Sequence, residues 1–334
     1  MRMLPSAQTA LSDLIERLRS GDTRALARAI SLAENDAPGA IDVLSACFPH
    51  TGHALRIGIT GSPGAGKSTL VDRLARAWRG AGVSVGVIAV DPSSAFTGGA
   101  ILGDRIRMQE RIGDDGLYVR SMATRGALGG LARTTADVAQ LIEASGKDIV
   151  LVETVGVGQD EIDIVRLADV TVVVLVPGMG DDVQTIKAGV MEIADIFVIN
   201  KADREGADRV EREIRAMQSL AGDRTTRITP IVKTVATTGI GLDELLNAIE
   251  EMKQWLAQEG RIEVRRTAYW RERIEQMVQH ALLKEARAHG LSREELAKHA
   301  ERIAAGDEDP YRLAPRLVAR VFNEREDARG VRSG

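Results

Sequence analysis

Eight residues, Gly61-Ser62-Pro63-Gly64-Ala65-Gly66-Lys67-Ser68, complete the pattern G-x-x-x-x-G-K-[ST]. The chemistry this pattern suits is the holding of a polyphosphate. Its glycines let successive backbone N–H groups turn inward on a β-phosphate, Lys67 sets a positive charge between the β- and γ-phosphates, and the Ser68 hydroxyl can ligate Mg²⁺. Thr69 continues the cradle into the next helix. The competing reading is a chance match in a turn, because the chain holds 33 glycines in 334 residues. The flanks argue against chance: residues 55–60 read as a buried strand, and Leu70, Val71, Leu74 and Ala75 give the following run a helical apolar face.

Further residues with chemical potential stand where aliphatic runs end. Asp91 closes the run 83–90, and a polar, glycine-bearing stretch leads from it to Asp104, a reading of a switch loop with two acidic Mg²⁺ partners. For Asp104 the competing reading is a charge placed at a helix N-terminus. Glu153 ends the run 148–153, where an acid orients Mg²⁺ and its waters, and Gly156 lets a backbone N–H approach a γ-phosphate. Signalling GTPases usually carry Asp at this place, and a water-positioning Gln would fall at Val157; Gln159 lies nearby but reads equally well as a solvated loop residue. The run 193–199 ends in Asn200-Lys201-Ala202-Asp203, N-K-x-D, whose carboxylate accepts from guanine N1–H and N2–H₂, donors that adenine does not offer. Residues 234–242, with Ala236 among them, have the shape of a loop that backs the base. The glycine-rich loop 177–187 follows a fourth strand and is placed to sense the nucleotide, a plain connection being the alternative.

These groups need an α/β scaffold to bring them together. Six aliphatic runs alternating with helical patterns predict a doubly wound, mostly parallel sheet over residues 54–258. Helical spacing over 7–48, broken at Gly21-Asp22 and Pro38-Gly39, predicts an N-terminal helical extension within 1–53. Beyond 259 an amphipathic run over 264–289 and a capping box at Ser292-Arg293-Glu294-Glu295 predict a helical arm reaching to 334, too small to bury both faces alone and expected to pack on a second subunit. His50 and His53 are an H-x-x-H pair, read as solvated linker residues because no other ligand lies near them in sequence.

Composition narrows the classes. A net charge of −4 gives no electrostatic reason to expect nucleic acid or an anionic membrane as a partner. The single cysteine, Cys47, excludes an internal disulfide framework and fits a reducing compartment, with the cytoplasm as the expectation. The longest apolar run, 170–176, falls far short of the roughly 20 residues of a membrane span.

Together, G-S-P-G-A-G-K-S at 61–68, D-P-S-S at 91–94, S-M-A-T-R-G-x-L-G-G at 121–130, E-T-V-G-V-G-Q-x-E at 153–161 and N-K-A-D at 200–203 resemble the MeaB family, the methylmalonyl-CoA mutase-associated GTPases, which also takes in the ArgK-type and methylmalonic-aciduria-type-A proteins. The segment 121–130 is the most specific part, since no general nucleotide-binding rule demands it. The resemblance covers nearly the whole chain. It implies a homodimeric GTPase chaperone for an adenosylcobalamin-dependent methylmalonyl-CoA mutase, gating cofactor loading and protecting or rescuing the enzyme. By position it implies GTP and GDP at residues 61–69, Gly156, Ala236 and the guanine readers Asn200, Lys201 and Asp203. It further implies Mg²⁺ near Ser68, Asp91, Asp104 and Glu153, catalytic roles for Lys67 and those three acids, and switch roles for Gln184 and Lys187. Two other classes compete. A metal-delivering GTPase needs Cys and His clusters, against one Cys and five scattered His. A kinase for an arginine-type transport protein needs phosphoryl transfer to a protein acceptor, against which the guanine motif speaks.

Overall fold

The computed structural model describes residues 7–91, 114–123, 130–154, 166–178, 193–220, 227–288 and 291–330. Seven parallel strands form its sheet: β1 (Leu55–Gly61), β2 (Val85–Asp91), β3 (Leu117–Ala123), β4 (Ile149–Glu153), β5 (Val170–Leu175), β6 (Ile196–Asn200) and β7 (Ile231–Thr234). Their spatial order is β3-β2-β4-β1-β5-β6-β7. The chain therefore moves outward from β1 in one direction and then in the other. Such a reversal leaves a crevice at the carboxyl ends of the central strands, where ligands of open α/β sheets bind.

The central strands are aliphatic along their whole length because both faces are covered. On one face, α4 (Lys67–Gly80) and α7 (Leu242–Ala257) bury Leu70, Leu74, Leu245 and Ile249 against Ile57, Ile59, Val172 and Val198. On the other, α6 (Ala207–Leu220) closes over Phe197 and Val173 with Ile214, and α5 (Gly130–Ala144) buries Val138, Leu141 and Ile142. Each fully buried side chain of this kind stabilises the fold by about 1.5–3 kcal/mol, so the sheet is a rigid base for the loops at its edges.

Sequence periodicity identifies six of the seven strands. The missing one is β3, an edge strand whose polar members Arg120 and Ser121 break the apolar run, and only Tyr118 and Met122 of its described side chains are buried. Burial pushes the Tyr118 phenol up to about 12.

The predicted N-terminal helices are α1 (Ala7–Arg19), α2 (Thr23–Glu34) and α3 (Ala40–Cys47). Asp22 starts α2 by accepting from Arg24 N at 2.8 Å and Ala25 N at 3.0 Å. Leu26, Ala29 and Ile30 are buried, and Arg120 Nε of β3 donates to Glu34 Oε1 at 3.0 Å. These helices therefore share a core with the sheet domain: the first compact unit runs from Met1 to Arg266. Cys47 is fully buried and burial raises its thiol, which leaves it no nucleophilic role. His50 and His53 line an open cavity of about 540 Å³ with Glu16, Arg19, Ser20, Ala144 and Gly146. Among the described residues no group of three His, Cys, Asp or Glu side chains could hold a metal ion.

The second unit covers Thr267–Gly334. It holds most of α8 (Arg261–Ala288), with α9 (Arg293–Ala304) and α10 (Pro310–Gly330). The expected cap is present: Ser292 Oγ accepts from Glu295 N at 3.1 Å. Arg320 Nη1 donates to Glu295 Oε1 at 2.7 Å, and His299 Nδ1 lies 2.6 Å from Glu308 Oε2. Ile274, Met277, Val278 and Leu282, spaced as one face of α8, are each about half exposed. Among the described residues no helix is long and apolar enough to cross a membrane.

Candidate nucleotide site

The phosphate loop leaves β1 and enters α4 at the centre of the sheet's carboxyl edge. Two glycines are required by close approach. Gly61 has φ +139° and a Cβ there would lie 2.0 Å from Val174 O; Gly66 has φ +89° and its Cβ would meet Asn200 Nδ2 at 2.4 Å. Between them Ser62 and Ala65 are buried while Pro63 and Gly64 are exposed. Lys67 is 5% exposed and its Nζ donates to Gly61 O at 2.6 Å and Ser62 O at 3.0 Å, curling back over the loop. An ammonium in this position can transfer those hydrogen bonds to phosphate oxygens without moving far.

Ser68 Oγ donates to Glu153 Oε1 at 2.5 Å. Glu153 is buried at the end of β4, in register with Ile59 of β1 and Ala89 of β2. A hydroxyl beside a carboxylate is a pair of hard oxygen donors, the chemistry that Mg²⁺ takes. Next in chain, Thr154 ties β4 to β1 through Thr154 N to Ile59 O and Thr154 Oγ1 to Thr60 Oγ1, both at 3.0 Å.

Asn200, 2% exposed, joins three segments. Its Nδ2 donates to Ala65 O of the phosphate loop at 2.7 Å, and its Oδ1 accepts from Thr234 Oγ1 at 3.1 Å and Ala236 N at 3.0 Å. Lys201 takes a left-handed backbone, φ +56°, and its Nζ reaches Gly64 O at 2.7 Å. Asp203 is exposed in the turn that follows. The loop after β7 is closed by Val235 N to Ile240 O at 2.9 Å. It is also gripped by Arg73 of α4, whose Nε donates to Ala236 O at 3.1 Å and whose Nη2 donates to Thr237 O.

The structure thus brings together Gly61 to Thr69, Glu153, Asn200, Lys201, Asp203 and Ala236 along one edge. Of Asp91 only the backbone is described, at the end of β2, two positions beyond the Ala89 that pairs with Glu153. Asp104, Gly156, Val157, Gln159, Gln184 and Lys187 lie outside the described residues. Sequence reasoning missed Arg73, and it placed Thr234 in the base-backing loop without foreseeing its bond to Asn200. No spacing rule singles out Arg73, one of three arginines on α4 with Arg76 and Arg79.

A phosphate loop at the switch point of a parallel sheet, with N-K-x-D bonded back onto it, defines a P-loop GTPase. Comparison with known proteins narrows this further. The chain belongs to the family described as methylmalonyl Co-A mutase-associated GTPase MeaB, whose model matches residues 26–290. It is a GTPase, hydrolysing GTP to GDP and phosphate. A Pyrococcus abyssi protein that carries a GTPase name is 48% identical over 93% of this chain and 97% of its own length. The GTPase ArgK of Escherichia coli is 38% identical over 77% of this chain and 80% of its own, and the mouse methylmalonic aciduria type A homolog is 34% identical over 81% and 66%. Among solved structures, that of a LAO/AO transport system kinase superposes with a TM-score of 0.68 at 28% identity, covering 96% of this chain and all of that one.

Proposed function

We propose that this GTPase is a chaperone of an adenosylcobalamin-dependent methylmalonyl-CoA mutase, gating cofactor loading and protecting or reactivating the enzyme. The observation that carries the reading is membership, over residues 26–290, of a family named for association with that mutase. The name of the mouse relative, drawn from a defect of the same metabolism, supports it. In this reading residues 61–69 and Gly156 hold the phosphates, and Asn200, Lys201, Asp203 and Ala236 form the guanine subsite. Lys67 balances charge as the γ-phosphoryl leaves. Ser68 and Glu153, with Asp91 and Asp104, hold Mg²⁺ and its waters; when bound, that ion neutralises charge between the β- and γ-phosphates.

The same reading makes three segments cooperate: helices in 1–53, the GTPase domain in 54–258 and a dimerisation arm in 259–334. The half-exposed apolar face of α8 supports homodimerisation, because a face of that kind is covered in a stable protein. The cytoplasm is the proposed location. Gln184 and Lys187 respond to the mutase, so that Gln184→Ala with Lys187→Ala blunts mutase stimulation while sparing basal turnover.

The test is to measure GTP hydrolysis with and without adenosylcobalamin-dependent methylmalonyl-CoA mutase, and to follow transfer of cofactor to the apo-mutase. Stimulation and nucleotide-gated transfer are expected; a mutase that neither binds nor accelerates the protein overturns the reading. A second reading, a kinase acting on an arginine-type transport protein, draws on the name of the superposed structure. Labelled γ-phosphate released to water rather than to protein rejects it. Delivery of a metal centre has no cluster of ligands to support it among the described residues.

A further inference from the structure

We propose that Arg73 is a positioning residue for base selectivity, holding the loop behind the base in an orientation that presents the Thr237 N–H. The inference rests on the assignment of residues 200–203 and Ala236 to the guanine subsite.

Three successive peptide planes of that loop are fixed by side chains from other elements. The plane between Val235 and Ala236 is fixed by Ala236 N donating to Asn200 Oδ1 at 3.0 Å. The next is fixed by Ala236 O accepting from Arg73 Nε at 3.1 Å, and the one after by Thr237 O accepting from Arg73 Nη2. In a trans peptide the N–H points opposite to the C=O. Holding two carbonyls toward α4 therefore turns the N–H groups of Thr237 and Thr238 away from Arg73, and the Thr238 N–H donates to Val235 O at 3.0 Å. The loop is thereby set with two acceptors on the α4 side; Ala236 N–H and Thr238 N–H are held by Asn200 Oδ1 and Val235 O, and Thr237 N–H is the donor turned to the opposite side. Guanine carries a carbonyl at the 6-position and can accept such a donor. Adenine carries an amino group there and would face donor with donor.

Arg73 also fixes the distance between the two subsites. It lies six residues beyond Lys67 on the same helix, about 9 Å along the axis. The helix whose first turn holds the phosphates thus carries the residue that sets the base loop. A guanidinium fork suits this task because it reaches two carbonyls from one rigid plane, whereas a lysine reaches one at a time.

The test compares wild type, Arg73→Ala and Arg73→Lys in titrations with GTP, ATP and inorganic tripolyphosphate, alongside steady-state hydrolysis. Arg73→Ala is expected to weaken GTP binding and raise KM about tenfold, to narrow the preference for GTP over ATP by a similar factor, and to leave kcat within about twofold. Tripolyphosphate, which uses only the phosphate subsite, should bind as to wild type, and Arg73→Lys should recover part of the GTP affinity. Unchanged GTP binding in Arg73→Ala overturns the proposal, as does equal loss of GTP and tripolyphosphate, which would mark a general structural role. Asp203→Asn serves as the control for the subsite itself. If its preference fails to move from GTP toward XTP, the guanine assignment falls and this inference with it; if it moves while Arg73→Ala matches wild type, only the role of Arg73 falls.

Discussion

The two edges of the sheet hold charged groups in opposite ways. At the amino edge, Arg56 Nη2 bonds Glu143 Oε2 at 2.7 Å, Arg265 forks onto Asp195 at 2.8 and 2.9 Å, and Arg266 forks onto Asp169 at 3.0 Å through both Nε and Nη2. The carboxylates also cap strand ends: Glu143 accepts from Ala54 N, Asp169 from Arg56 N and Asp195 from Thr171 N. Each cation there meets a carboxylate of fixed geometry. At the carboxyl edge, Lys67 gives hydrogen bonds to neutral carbonyls and Asn200 organises three backbone segments without any charge. Neutral carbonyls are weaker partners than carboxylates, so Lys67 can exchange them for phosphate. Among the described residues, forked carboxylate pairs thus fasten the amino edge, while the carbonyl bonds of Lys67 are ones that a phosphate can replace.

This contrast is broken or sharpened by substitutions that cross it. Lys67→Ala has the largest expected effect: loss of the charge that balances the β- and γ-phosphates should lower GTP hydrolysis by on the order of 10³ or more. Its midpoint of thermal unfolding should stay close to wild type. A variant that keeps turnover, or that unfolds early, would place Lys67 with the structural cations instead.

Arg266→Ala should do the reverse. Asp169 is 3% exposed, and removing its forked partner leaves a buried carboxylate short of a cation, a loss of about 3 kcal/mol. Urea unfolding should report that loss while kcat per folded molecule stays unchanged. It follows that a truncation meant to test the arm must keep Arg265 and Arg266, which fasten the start of α8 to the amino edge. A chain ending just beyond them should bind GDP and run as a monomer in light scattering; persistence of the dimer would place the interface elsewhere.

Base selectivity comes next. Two charge-assisted bonds from guanine to Asp203, worth about 1.5–3 kcal/mol each, should give wild type at least roughly 10²-fold preference for GTP over ATP. Equal affinities by calorimetric titration would remove the guanine subsite from the carboxyl edge.

How much of this could be read from the chain depends on what sets the spacing. The phosphate loop and N-K-x-D are legible because a ligand of fixed shape dictates which residues stand next to each other. The bond from Asn200 to Ala65 spans 135 positions and is not. The amino-edge network is equally hidden, since Arg56 and Glu143 lie 87 residues apart and Arg266 and Asp169 lie 97 apart. Periodicity reveals strands covered on both faces, such as β5, and fails at β3, the outermost of the described strands on its side, where Arg120 serves an ion pair with Glu34. Arg73 escapes for a further reason: it binds backbone carbonyls, which every sequence supplies, so no complementary residue marks its target.

The smallest predicted effect tests whether geometry, and not charge alone, governs the amino edge. Arg265→Lys keeps the positive charge beside Asp195 but replaces a planar fork by a single ammonium. The guanidinium now makes two bonds to the carboxylate, and its Nη1 is shared with Asp169 O. An ammonium on a flexible stem can hold one carboxylate oxygen well and must choose between the second oxygen and the carbonyl. One charge-assisted hydrogen bond is then lost, and its cost is screened because the Arg265 side chain is 35% exposed. A cost of about 1 kcal/mol follows, which for a unit of this size lowers the unfolding midpoint by roughly 2–4 °C. GTP turnover should not change, since the residue lies at the edge opposite to Lys67. A midpoint equal to wild type would show that the amino edge requires only charge balance, and the contrast between forked carboxylates and exchangeable carbonyls would then rest on Arg266 alone.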